Sequence, residues 1–199
     1  MPQSLPPTRL TLIAHAATDA QRRATFSLDE PVEPAAYAKA AEIGWQPPQA
    51  QQVLCGPELR TRQTAQALGL PHNISVDLRD CHYGRWSGRD LDEVHASDPE
   101  GVLQWLTDPE VAPHGGESVA ELIERIEMWI DRLRETGHTI AVTHPAVIRA
   151  AIVATLAAPL QTFWRIDIAP LSLTDLRFNG RSWTLRYSNC TLRGLDRTE

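Results

Sequence analysis

Two short apolar runs, Leu10–Ala14 and Thr139–Thr143, each end directly on a histidine, His15 and His144. Runs of strand formers without polar alternation read as strands covered on both faces, as in the middle of a parallel sheet. A third run, Gln52–Cys55, stops at the turn signal Gly56-Pro57. Between these runs the apolar period changes. Val119, Leu122, Ile123, Ile126, Trp129, Ile130 and Leu133 form one helical stripe, opened by Ser118 and Glu121 as a capping box and closed by Gly137. This predicts a helix over 119–135. Residues 58–69 read as another helix, closed near Gly69 and Pro71. Pro145 can open a third, through Val147, Ile148, Ala151 and Ile152. Such alternation predicts an α/β fold, a three-layer α/β/α sandwich on a mainly parallel sheet.

The last third reads differently. Trp164–Ile168, Ser172–Phe178 and Ser182–Tyr187 look like successive strands, and Asn179-Gly180 is a hairpin signal, so the sheet is expected to carry an antiparallel edge. Residues 84–116 mix Gly, Pro and charge and read as an excursion of short helices and loops over one end of the sheet. At 199 residues the chain is expected to form one domain spanning 1–199. A net charge of −6 argues against general nucleic-acid binding, and no apolar run is long enough to span a membrane. Cys55, Cys81 and Cys190 are sparse and form no CxxC pair, which fits free thiols in a reducing compartment. Met1–Thr8 contains no apolar signal core, and the expected localisation is cytoplasmic.

In open parallel sheets, ligands bind beyond the carboxyl ends of the strands. If the strands before His15 and His144 are central and parallel, the two imidazoles converge on one crevice. Arg60 follows a third strand end, near a helix start whose free N–H groups favour an anion. Two imidazoles, a guanidinium and a helix N-terminus make a phosphate site.

Five blocks, in order, resemble the phosphoglycerate mutase-like histidine phosphatase superfamily along nearly the whole chain. Leu12-Ile13-Ala14-His15-Ala16-Ala17-Thr18 resembles the Arg-His-Gly signature. Gly56-Pro57-Glu58-Leu59-Arg60-Thr61-Arg62-Gln63-Thr64-Ala65 resembles Ser-Pro-x-x-Arg-Ala-x-Gln-Thr-Ala. Leu78-Arg79-Asp80-Cys81-His82-Tyr83-Gly84-Arg85-Trp86-Ser87-Gly88 resembles Leu-x-Glu-x-x-x-Gly-x-Trp-x-Gly. His114-Gly115-Gly116-Glu117-Ser118 matches a Gly-Gly-Glu-Ser element. Val142-Thr143-His144-Pro145-Ala146-Val147-Ile148-Arg149 resembles Val-Ser-His-Gly-Gly-Val-Ile-Arg.

The resemblance implies a phosphatase that hydrolyses a small phosphorylated metabolite through a phosphohistidine on His15, with no cofactor and no metal. In it Arg60 neutralises phosphoryl oxygens, His144 donates to the group in flight, and Asp80 occupies the place of a glutamate general acid. Thr18 and Gln21 fall where the family contacts phosphate. Pro145 adjoins the same seat, His82 is a candidate substrate contact, and His114 is expected in a surface loop at the pocket mouth. Of the tryptophans, Trp86 is expected nearest the site. Inorganic phosphate is an alternative ligand, and a homodimer is left open.

Four positions depart from the family pattern. Ala14 replaces the signature arginine, Ala16 a glycine, Asp80 the longer glutamate and Pro145 a glycine. The missing guanidinium leaves a second reading open, a catalytically impaired phosphate- or anion-binding relative with a sensing or interaction role. Arg22, Arg23 and Arg62 are the candidates to replace the lost charge.

Overall fold

In a computed structural model, which describes residues 8–192, six strands form one sheet in the order β3-β2-β4-β1-β5-β6. They are β1 (Thr8–Ala14), β2 (Gln52–Cys55), β3 (Asn73–Ile74), β4 (His138–Thr143), β5 (Ser172–Phe178) and β6 (Trp183–Thr191). The first four run parallel; β5 pairs antiparallel with β1, and β6 antiparallel with β5. The mainly parallel sheet with an antiparallel edge is therefore present. Residues 1–7, on which part of the localisation expectation rests, lie outside the described residues.

The apolar runs are central because both their faces are covered. On β1, Leu10, Leu12 and Ala14 join the core formed with α6 (Val119–Asp131) and α7 (Pro145–Leu156), while Ile13 joins the opposite core with α2 (Pro34–Glu42) and α3 (Leu59–Ala67). On β4, Ala141 faces the first core and Ile140 and Val142 the second. This period-two division between two apolar layers is what a strand sandwiched by helices requires. Ala14 pairs with Thr143, so His15 and His144 leave neighbouring strands at the same level.

The capping box of α6 is formed, with the Ser118 hydroxyl accepting from Glu121 N–H and the Glu121 carboxylate from Ser118 N–H. The stripe from Val119 to Ile130 is buried, but regular helix stops at Asp131, and Leu133 packs from the turns that follow. The sequence pattern missed α2 entirely, because only Ala40 of it is fully buried and its stripe is weak.

The strand expected at Trp164–Ile168 does not form. Leu160–Arg165 coils as 3₁₀ turns instead. Consecutive aromatic side chains anchor it: Phe163 sinks into the α6–α7 core while Trp164 meets Trp105 edge-on at 4.3 Å. The excursion contains α4 (Leu91–Ser97) and α5 (Pro99–Thr107), gathered around Phe26, Trp86, Val94 and Val102. The hairpin at Asn179-Gly180 forms, with Gly180 at φ 90°.

Candidate active site

His15 caps the end of β1 and is 2% exposed. Its Nδ1 lies 2.8 Å from the Ala16 carbonyl, so Nδ1 carries the proton and Nε2 keeps its lone pair. Burial, reinforced by His144 and Arg60, lowers its pKa to about 3. The ring is therefore neutral at physiological pH. Ala16 N–H donates to the Thr64 hydroxyl at 2.9 Å, tying the loop after β1 to α3.

The His144 ring meets the His15 ring edge-on, 5.3 Å between centroids. It is held between two carboxylates: Nε2 is 2.7 Å from Glu58 and Nδ1 is 3.6 Å from Asp80, with no hydrogen-bond partner on Nδ1 among the described residues. Glu58 also accepts from Asp80 N–H at 3.1 Å. The chain can bring these groups together because residue 56 is glycine: a Cβ there would stand 2.9 Å from the Leu78 carbonyl and 3.1 Å from His144 Nε2.

Arg60, in the first turn of α3, is 1% exposed. It donates to Asp80 at 2.7 Å and to the Leu28 carbonyl at 2.5 Å, and Glu30 lies 3.5 Å away. For Asp80, burial would raise the pKa, but His144, Arg60 and His15 outweigh it and hold the carboxyl below its usual value. Burial likewise opposes ionisation of Glu58, and the hydrogen bond to His144 overcomes it.

Two cavities meet at Asp80, Tyr83 and Ser27. The smaller, about 590 Å³, opens on His15 and includes Thr18, Gln21, Arg22, Pro145 and Arg149. The larger, about 970 Å³, is reached by Arg60, Glu58 and His82 and extends to Met128 on α6. His15, Arg60, Asp80 and His144 thus share one network, and Thr18, Gln21, Arg22 and Pro145 surround the His15 side of it. The buried Thr18 hydroxyl caps α1 (Asp19–Arg22) by accepting from Gln21 N–H at 3.3 Å. His82 stands across Asp80, in the other cavity.

Several expectations change. His114 is not in a surface loop: it is 1% exposed, accepts from Gly116 N–H through Nδ1, and packs edge-on against Trp86 and Tyr83. Gly116 lets this turn fold inward, since a Cβ there would collide with the His82 carbonyl. Tyr83, not Trp86, is the aromatic group that lines both cavities; Trp86 is fully buried within the excursion's own core. Arg23 is committed to Asp90 and Asp19, and Arg62 opens on a separate depression beside His72. Arg22 does reach the His15 cavity but is bound to Glu33 at 2.5 Å.

Glu58, Tyr83 and Arg149 were not anticipated as site residues. The spacing of Arg149 held a usable signal: three and four residues after Ala146 and Pro145, it shares their face of α7. Among the described residues no group of three or more His, Cys, Asp or Glu side chains could hold a metal ion, and no helix is long and apolar enough to cross a membrane. The three cysteines are free thiols, with Cys55 and Cys81 buried and Cys190 half-buried.

A mixed α/β sheet whose two central strands end on facing histidines, backed by a buried arginine and carboxylates, defines a phosphoglycerate mutase-like fold with a candidate phosphoryl-transfer site. The chain belongs to the histidine phosphatase superfamily (branch 1), whose family model matches residues 10–191. It is 27% identical over 205 aligned positions to a bifunctional protein of Mycobacterium tuberculosis, covering 93% of this chain and 54% of that one. The chain thus spans about half the length of that relative. It is 29% identical to the adenosylcobalamin/alpha-ribazole phosphatase of Escherichia coli, over 72% of this chain and 75% of the enzyme. Among solved structures, a mycobacterial glucosyl-3-phosphoglycerate phosphatase in complex with VO3 superposes with a TM-score of 0.79 at 25% identity, covering 92% of this chain and 100% of that one.

Proposed function

We propose that the chain is a phosphomonoesterase that hydrolyses a small phosphorylated metabolite through a phosphohistidine on His15. The observation that carries this reading is the state of His15: neutral, its Nδ1 fixed by the Ala16 carbonyl, and its Nε2 free beside a cavity shared with Asp80. The kinship with phosphatases of alpha-ribazole and of glucosyl-3-phosphoglycerate supports the same class of substrate.

In the first step the Nε2 lone pair of His15 forms a bond to phosphorus and the ester P–O bond breaks. The leaving oxygen takes a proton from the Asp80 carboxyl. Water then attacks phosphorus, Asp80 accepts its proton, the P–N bond breaks, and His15 returns neutral. In the ligand-free protein Asp80 is held ionised by Arg60 and His144. An incoming phosphoryl dianion draws Arg60 to itself and repels the Asp80 carboxylate, and both effects favour the protonated acid that the first step needs. Asp80 lines both cavities, which supports its placement at the leaving oxygen.

The competing reading, an anion-binding relative without turnover, rests on Ala14 and on the Asp80–Arg60 pair that an anion must open. Incubating the protein with para-nitrophenyl phosphate and a panel of phosphorylated metabolites, alongside His15→Ala, separates the two. Turnover that drops at least about 1,000-fold in His15→Ala, with an acid-labile phosphoenzyme in the wild type, is the expected result. Orthovanadate binding without turnover of any substrate would establish the competing reading instead.

A further inference from the structure

The phosphatase reading leaves one electrostatic gap. A phosphoryl dianion at His15 needs more positive charge than Arg60 alone supplies, because Arg60 already faces Asp80 and Glu30. The residue before His15, where a second guanidinium is expected, is Ala14, sealed in the α6–α7 core and lining neither cavity.

Two guanidinium groups open on the His15 cavity, Arg22 and Arg149. They differ in what already holds them. Arg22 is exposed and neutralised by Glu33 at 2.5 Å and Asp19 at 3.3 Å. Arg149 forms no ion pair and no hydrogen bond among the described residues, and its Nε is buried without a partner. What fixes it is apolar: its guanidinium carbon lies 5.8 Å from the centre of the Phe163 ring, which is itself buried. A guanidinium on an aromatic face keeps its in-plane N–H donors available.

The backbone also places it suitably. The helix α7 starts immediately after His144, and Arg149 lies one turn in, on the face that presents Pro145 and Ala146 to the same cavity. Since β4 is the strand beside β1, with Thr143 opposite Ala14, the start of α7 lies next to the end of β1, and Arg149 and His15 line one cavity. We propose that Arg149, an arginine the family block around His144 also carries, supplies the second guanidinium of the phosphoryl seat in a chain where Ala14 leaves none directly before His15. The proposal rests on the phosphatase reading and adds a residue to it. A dianion at His15 would give the orphaned Arg149 Nε and its companion N–H groups the acceptors they lack.

The test is a titration with orthovanadate, and hydrolysis of para-nitrophenyl phosphate, for the wild type, Arg149→Met, Arg149→Lys and Arg149→Ala, each checked for an unchanged circular dichroism melt. Arg149→Met is expected to weaken orthovanadate binding by about 10- to 100-fold, the range of a lost charge-assisted hydrogen bond, with a comparable fall in kcat/KM. Arg149→Lys should keep part of both. Millimolar guanidinium should restore activity to Arg149→Ala and not to Arg149→Met, whose side chain fills the space; a purely structural arginine would show no such rescue. A folded Arg149→Met that binds orthovanadate as the wild type does would overturn the proposal while leaving the phosphatase reading intact. If Arg149→Met fails to fold, absence of guanidinium rescue in Arg149→Ala overturns it. A wild type that neither binds orthovanadate nor turns over substrate overturns both.

Discussion

The two cavities that meet at Asp80 differ in charge: the side groups of one balance, and those of the other are in acidic excess. The His15 side is lined by Arg22 and Arg149 with Glu33 and Asp80, and among the described residues Arg149 has no ion pair. On the other side, five carboxylates, Asp29, Glu58, Asp80, Glu117 and Glu121, outnumber Arg60, Arg79 and Arg125. Those arginines are also occupied: Arg125 donates to both oxygens of Glu117 at 2.7 Å, and Arg60 donates to Asp80. In the proposed reading the anion sits on the His15 side and draws Arg60 across the boundary to it, and the acceptor-rich side faces the rest of the ester. Asp80 stands on the boundary, where the bond between the two parts of a phosphate ester would lie.

The largest effect that separates the regions should come from the boundary itself. Asp80→Asn cannot protonate a leaving alkoxide, so kcat/KM for an alkyl phosphate should fall by about 100-fold. The fall for para-nitrophenyl phosphate, whose leaving group needs little help, should be only a few-fold. Equal losses on both substrates would show that Asp80 organises Arg60 rather than transferring a proton.

A smaller effect concerns the histidines on the two sides. Burial lowers His15 to about 3 and, behind the wall of the larger cavity, His114 to about 4. Both groups bind protons more readily in the unfolded chain, so their contribution to stability is complete above the ordinary histidine pKa and declines as pH falls through the window below it. Between pH 7 and pH 5 each should cost on the order of 1–2 kcal/mol of unfolding free energy, since one pKa unit is about 1.36 kcal/mol. Urea denaturation at the two pH values checks this. His15→Asn and His114→Asn should each flatten the dependence, and a wild type equally stable at both values would contradict it.

The smallest effect should come from the rim. His82 is exposed and lines only the larger cavity. His82→Ala is expected to raise KM for a good metabolite substrate by about threefold, roughly the weight of one exposed hydrogen bond. Orthovanadate affinity, which samples only the phosphoryl seat, should not change. A shift in orthovanadate affinity would mean that the two cavities are not separate subsites.

The strand ends were readable because their information is local. An apolar run ending in a histidine puts that histidine at the carboxyl edge of a buried strand, and this held for both His15 and His144. The capping box and the stripe of α6 were equally plain. What local pattern could not supply was the direction of side chains in non-repetitive segments. His114 reads as polar and surface-bound, yet the Gly115-Gly116 turn folds it into the excursion's core. Trp164 reads as strand, yet its ring docks on Trp105, which comes from a distant helix.

By itself, the sequence determined the α/β architecture and the two histidines at strand ends, with Arg60 after a third; the adjacency of the two strands came from the fold, and Asp80 was pointed to by the family resemblance. Hydrophobic periodicity and turn chemistry act over a few residues and are written directly in the chain. Only the tertiary structure decided which charges remain available. Arg22, Arg23, Arg62 and Arg149 carry the same guanidinium, but three of them are paired or face elsewhere, and Arg149 opens on the His15 cavity without a partner among the described residues. That difference depends on which carboxylates other segments bring within reach, and such long-range proximity exists only once the sheet and its helices have packed.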